Sequence, residues 1–145
     1  MADFDAILSL AGEVEHLFGK MVADPGFHNS LTRHLDRKSA LVADDSGIVG
    51  GLLFDPVGPK YHVDWLVVSA QVRGTGVGHA LMDSAMSHFV HGPGTIEVVT
   101  FGPGHPGARA RDFYASLGFS AGLMTWPGPE GGSRQIYTKS LPDPT

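Results

Sequence analysis

The stretch that most constrains this chain runs from Val63 to Phe89, VDWLVVSAQVRGTGVGHALMDSAMSHF, an apolar run that enters a glycine-rich turn and leaves as a helix. Val63 to Val68 has the β-branched and aromatic content of a buried strand. Val77, Leu81, Ala85 and Phe89 recur at helical i+4 spacing. The order is therefore strand, loop, helix. Between the two, Arg73-Gly74-Thr75-Gly76-Val77-Gly78 sets three glycines where a Cβ would keep a bulky anion off the main chain. The N–H groups of the loop and first helical turn, with the positive end of the helix dipole, then make an anion site whose natural guest is phosphate.

Two widespread phosphate-binding patterns fail here on spacing. A P-loop requires GxxxxGK[ST], and no lysine follows any of these glycines. A dinucleotide fingerprint requires GxGxxG with an acidic residue about 20 positions on; the glycines here read GxGxG, and Gly94 stands at that distance. A glycine-rich turn in an unrelated α/β domain is the plain alternative. Net charge narrows the ligand further, because 10 basic against 15 acidic residues leave −5, which argues against a broad nucleic-acid or anionic-lipid surface. An anion then needs a local set of donors. With no cysteine, disulfides, thiolate nucleophiles and cysteine-held metals are excluded. The 145 residues are expected to form one domain, 1–145, that buries roughly two-thirds of its unfolded surface. No apolar run approaches the roughly 20 residues of a membrane span and no basic-then-apolar leader opens the chain, so a soluble cytoplasmic protein is expected.

Along the chain, Asp3 to Val22 reads as one helix, with Asp3 or Asp5 as its cap and Ile7, Leu10, Ala11, Val14, Leu17 and Phe18 at helical spacing. Ala23-Asp24-Pro25-Gly26 ends it, and a shorter helix runs from about Phe27 to Arg37. Ser39 to Ala43 and Ile48 to Phe54, around Asp44-Asp45-Ser46-Gly47, read as a β-hairpin. After the central strand and helix, His91-Gly92-Pro93-Gly94 is a stop, and Ile96 to Phe101 is another strand. A helix from about Pro106 to Leu117 ends at Gly118, and Ser120 to Trp126 with Arg134 to Leu141 form a closing hairpin.

Two strings carry a family resemblance. V-S-A-Q-V-R-G-T-G-V-G-H-A-L resembles the acyl-CoA pyrophosphate loop of the GNAT N-acetyltransferases, [QR]xxGx[GA], with Arg73, Gly76 and Gly78 at the patterned positions, Ala70 at the usual proline and Val72 at the usual aromatic. A-R-D-F-Y-A-S-L-G-F is similar to the second signature of that family, AxxFYxxxGF, and Tyr114 lies 41 positions after Arg73. The resemblance covers roughly Ala40 to Leu141. It implies an α/β (α+β) fold: a mixed, mostly antiparallel central sheet with helices on both faces, splayed at the central strand so that acyl-CoA enters. The family opens with a strand before the first helix, and Met1-Ala2 leaves no room for one, so either that edge strand is absent or this chain begins late.

The resemblance assigns acetyl-CoA to main-chain and side-chain groups of Leu66, Val67, Val68, Arg73, Gly74, Thr75, Gly76, Val77, Gly78, Arg109 and Phe113. Main-chain N–H groups of Val68 and its neighbours would polarise the thioester carbonyl. Arg111 is expected beside the phosphates with Arg109, while the asparagine often found seven residues before the tyrosine is Gly107 here. Tyr114 takes the family's acid role: a phenol of pKa about 10 can protonate a thiolate whose acid is near 8.5 within hydrogen-bond reach. The bland alternative is a core tyrosine bonded to a carbonyl.

Asp64 is the one acid in the central strand, and an unpaired carboxylate there is costly to bury. Some family members carry a glutamate at the matching position that handles the amine proton, usually through water. His62, two residues away on the same strand face unless a bulge intervenes, could complete such a relay or sit on the surface. Glu13, Glu15 and His16, near the end of the first helix, lie on the family's acceptor side, or simply on a solvated face. A metal site at His88 and His91 lacks a third ligand in sequence reach, so no metal is expected. The sequence thus points to direct transfer of acetyl from acetyl-CoA to the primary amine of a small molecule, with no nucleic-acid or membrane partner and with a homodimer left open. Rival readings are a peptide or protein N-acetyltransferase, a non-catalytic acyl-CoA-binding module, and a nucleotide-binding domain.

Overall fold

The computed structural model describes residues 2–44, 47–69, 72, 75–103, 105 and 109–141, without the side chains of residues 2, 3 and 109. In chain order they form α1 (Ala2–Glu13), α2 (Glu15–Phe18), α3 (Pro25–Asp36), β1 (Ala40–Asp44), β2 (Ile48–Asp55), β3 (Lys60–Val68), α4 (Val77–Phe89), β4 (Gly94–Phe101), α5 (Arg109–Ser116), β5 (Ser120–Thr125) and β6 (Arg134–Leu141). The six strands make one sheet in the order β1-β2-β3-β4-β6-β5. All pairings are antiparallel except β3 with β4.

The first helix is shorter than periodicity predicts. It ends at Glu13, Val14 leaves helical geometry, and a separate turn of helix follows. Beyond that turn the Glu15 carboxylate accepts the main-chain N–H groups of Met21 at 2.6 Å and Val22 at 3.0 Å, so the chain folds back after Phe18 and does not continue the helix to Val22. Asp5 lies inside α1 instead of capping it. In α3, Asp24 supplies the cap, its carboxylate accepting from Phe27 N–H at 3.1 Å with Pro25 at the first helical position.

Two apolar layers sandwich the sheet. On one face Ile7, Leu10 and Ala11 of α1 and Leu31 of α3 pack on Leu53, Trp65 and Val67. On the other, Leu81, Met82 and Ala85 of α4 and Tyr114 of α5 pack on Leu52, Phe54, Val63, Ile96 and Val98. β3 serves both layers because its register against β2 slips once: Phe54 pairs with Val63 and Leu53 with Trp65, so Asp64 has no partner. That one-residue bulge moves the odd-numbered residues from one face to the other. Tyr61 and Val63 meet α4, whereas Trp65 and Val67 meet α1, and Leu66 and Val68 turn toward α4.

The bulge sits where the sheet opens. β3 pairs with β4 only from Lys60–Thr95 to Val63–Val98, while β3 runs on to Val68 and β4 to Phe101. The expected splay is therefore present, with Asp64 at its apex. The sheet begins at β1, so among the described residues no strand stands outside it. No helix among the described residues is long and apolar enough to cross a membrane.

Candidate active site

A cavity of about 600 Å³ lies on the α4 side of the opening, within the range of small-ligand sites. Its wall joins the two strings that the sequence singles out: Leu66 and Val68 from β3, Val72, Gly76 to His79 at the start of α4, and Ala110, Phe113 and Tyr114 from α5. Arg73 and Gly74 lie outside the described residues, as does the Arg109 side chain. Val67 turns away; its side chain is buried under α1, so only its main chain could serve a ligand here. Thr75 is exposed, and its hydroxyl donates to the Val72 carbonyl.

The start of α4 is an open helix N-terminus. Gly76 is its cap residue with φ at 90°, no side chain caps the helix, and the first intrahelical bond from beyond it is Ala80 N–H to the Gly76 carbonyl at 3.0 Å. The N–H groups of Val77, Gly78 and His79 make no hydrogen bond to any other described residue, as the first donors of a helix do. The glycines do different jobs from the one spacing suggests. A Cβ on Gly76 would meet nothing within 4 Å, so its need is the left-handed φ, whereas a Cβ on Gly78 would stand 2.8 Å from Phe113 Cε1. Gly78 is a packing glycine that lets α4 approach α5.

Tyr114 is buried, its ring against Phe113 at 5.1 Å, Phe119 at 5.4 Å and Tyr137 at 6.5 Å between centroids. Its hydroxyl makes no hydrogen bond to any other described residue, which removes the reading of a core tyrosine tied to a carbonyl. Burial pushes the phenol well above its ordinary pKa, so it stays protonated through the physiological range. Arg111 Nε donates to the Tyr137 hydroxyl at 2.8 Å, which ties α5 to β6. His79, which the sequence reading passed over, lines the cavity with its ring 5.2 Å from Phe113, and its signal was its place directly after the last motif glycine.

On the opposite face Asp64 is not the unpaired carboxylate that the sequence suggests. Its Oδ2 lies 2.8 Å from Nε2 of His34, a fully buried residue of α3, and its side chain stays 32% exposed. His62 stands 3.9 Å from both Asp55 and Glu97, and the bulge at Asp64 comes between it and the shared strand face that a relay through it requires. Glu13 accepts from the Ser69 hydroxyl at 3.2 Å, at the end of β3. Glu15 is occupied by the Met21 and Val22 main chain, whose N–H groups hold its carboxyl below the usual range, so its work is structural.

A second network missed by sequence fastens the closing hairpin. Glu130, in the loop between β5 and β6, meets His105 Nε2 at 2.7 Å and accepts from Arg134 at 2.6 and 3.0 Å. His105 stacks on Phe101 at 4.1 Å, and the Arg134 guanidinium lies 4.9 Å from the same ring. Burial raises the Glu130 carboxyl, but the hydrogen bonds from Arg134 and His105 outweigh it and hold it at about 2. Phe101 also packs on Phe18 of α2 at 4.6 Å, so this loop borders the α1 side of the opening.

Residues 36–121 match the sequence profile of a family described as an acetyltransferase (GNAT) domain. No curated protein sequence matches the chain. Among solved structures, the ribosomal-protein-alanine N-acetyltransferase from Brucella melitensis is similar over 97% of this chain and 95% of its own, at 19% identity and a TM-score of 0.70. A structure described as histone acetyltransferase HPA2 and related acetyltransferase, from Corynebacterium glutamicum ATCC 13032, covers 100% and 93% at 22% identity and 0.66. An aminoglycoside 6'-N-acetyltransferase complexed with coenzyme A covers 98% and 93% at 16% identity and 0.72. At such identities the likeness is one of fold.

Proposed function

The chain belongs to the GNAT acetyltransferase family, and on that footing we propose that it transfers the acetyl group of acetyl-CoA directly to the primary amine of a cationic small molecule. The observation that carries this reading is the cavity that runs from the N–H groups at the start of α4 to Tyr114, beside the opening of β3 and β4. The pyrophosphate would bind those N–H groups together with Arg73 and Gly74. The pantetheine arm would lie along Leu66 and Val68, with Phe113 beside it. At the opening the amine nitrogen attacks the thioester carbonyl carbon, the C–N bond forms, and the C–S bond breaks. Main-chain N–H groups near Val68 would hold the developing oxyanion. Tyr114 gives its phenolic proton to the departing thiolate, and the proton lost by the amine passes to water beside Asp64. With no cysteine to carry an acyl group, a ternary complex suits this chain better than a thioester intermediate.

A cationic amine fits the carboxylate of Asp64 at the apex of the opening. The solved neighbours named above take their names from proteins and from an aminoglycoside, so they leave the acceptor class open. One observation favours a peptide amine as the second reading: Val99 of β4, beyond the last β3–β4 pair, is 49% exposed, an apolar side chain that an extended peptide could cover. The test is release of CoA thiol from acetyl-CoA across panels of polyamines, aminoglycosides and peptide N-termini. The protein itself contributes no thiol to the readout. Turnover of small amines above peptides supports the proposal; turnover of neither, with acetyl-CoA bound, leaves a non-catalytic acyl-CoA module.

A further inference from the structure

His34 stands on the buried side of α3, three residues after Leu31, and is 0% exposed. An imidazole buried this deeply needs partners for both ring nitrogens. It has them: Nδ1 lies 2.6 Å from Ser39 Oγ and Nε2 lies 2.8 Å from Asp64 Oδ2. Ser39 Oγ also accepts from Arg37 Nε at 2.8 Å. An arginine only donates, so the Ser39 hydroxyl must give its own proton elsewhere, and the choice lies between His34 Nδ1 at 2.6 Å and the His34 carbonyl at 3.5 Å. The shorter contact assigns Nδ1 as acceptor, which leaves the ring proton on Nε2, donated to Asp64. Arg37, Ser39 and His34 then all donate in one direction, toward one carboxylate.

We infer that His34 is a positioning residue for Asp64 in acceptor turnover, an inference that rests on the N-acetyltransferase reading above. Asp64 is the bulged residue of β3 and has no partner on β2, so strand pairing does not fix its side chain. The imidazole fixes it, holding Oδ2 and leaving Oδ1 without a hydrogen bond to any other described residue. The chain of donors is not a proton wire, for it ends in a guanidinium that cannot take up a proton. A proton received by Asp64 leaves from Oδ1, on a side chain that is 32% exposed. Nor is the Ser39–His34–Asp64 set a hydrolytic triad, because Ser39 is 0% exposed and no substrate reaches its oxygen.

The test is a mutant cycle on the whole protein, with kcat and KM measured for both substrates. H34L is expected to lower kcat/KM for the amine at least about tenfold, as loss of orientation does, while KM for acetyl-CoA stays within twofold. H34Q, whose amide keeps a donor near the Nε2 position, is expected to recover most of that loss, and H34L should add nothing in a D64N background. Equal harm from H34L with and without the Asp64 carboxylate, or no recovery in H34Q, overturns the inference. If H34L does not fold, the side-chain 15N spectrum of the histidines decides. A protonated Nε2 on His34 that shifts in D64N supports it, and a spectrum unchanged by D64N overturns it. A wild type that binds acetyl-CoA and acetylates no amine overturns the enzymatic reading and this inference together. An H34L variant that turns over at the wild-type rate overturns only the inference.

Discussion

The acid role proposed for Tyr114 rests on what surrounds the ring. Three aromatic neighbours hold the side chain, so its position does not depend on the hydroxyl, and Tyr114→Phe should leave the fold and the cavity unchanged. Turnover should fall about 10²- to 10³-fold, the usual worth of a positioned acid, with acetyl-CoA affinity within twofold by calorimetry. An equal loss of affinity would place the hydroxyl in binding instead. Because burial drives the phenol upward, the neutral acid persists on the alkaline side, and the pH–rate profile should show no falling limb from Tyr114 below about pH 10. That Tyr114 lies on the cavity wall follows from its FYxxxGF context, which the sequence shows directly. Asp64 was half legible: a lone acid in an apolar strand draws notice, but its partner lies 30 residues earlier in a helix. Which helix face meets which strand residue is decided by sheet register, and here a bulge shifts that register by one.

At the scale of elements, the α4 start makes separable demands on its two glycines. Gly76→Ala meets open space but a φ of 90°, so it should cost about 1–2 kcal/mol of backbone strain and loosen the first turn of the helix. Gly78→Ala should act through Phe113 instead, since its methyl comes 2.8 Å from the ring and forces α4 and α5 apart, a crowding cost of about 1–3 kcal/mol. Melting temperatures of both variants should drop by several degrees. Phe113→Leu, which shortens the opposing side chain, should restore part of the loss in Gly78→Ala and none in Gly76→Ala. Identical responses of the two glycines would sink the distinction. The same physics sets what was readable in the elements. Strands and α4 follow from period-two and period-four apolar patterns, and β6 has the bounds that the pattern gives. The fold-back after Phe18 does not, because a carboxylate bonding main-chain N–H groups six and seven residues ahead leaves no trace in hydrophobic periodicity.

For the whole molecule, ligand and proton both act on the folding equilibrium. Acetyl-CoA that binds only the folded protein stabilises it by RT ln(1 + [L]/Kd), about 2.7 kcal/mol at a hundredfold excess, so above Kd the melting temperature should keep rising with the logarithm of acetyl-CoA concentration and stay flat with ATP. Protons act through Glu130, which ties the β5–β6 loop to His105 and to Arg134 of β6. Its folded pKa of about 2 lies below an ordinary unfolded value near 4.5. A depressed carboxyl contributes stability that is complete above the unfolded value and is lost as pH falls through the folded one. The window is therefore about pH 4.5 down to 2. Glu130→Gln removes the titration while keeping a carbonyl to accept one of the two Arg134 bonds. Wild type should exceed this variant in stability by a constant margin from pH 7 to about pH 5, and the margin should shrink steadily toward pH 2 in denaturant melts. A margin that holds its size across the whole range would mean that the loop is fastened by shape and by the stacking of His105 on Phe101, with the charge of Glu130 incidental to it.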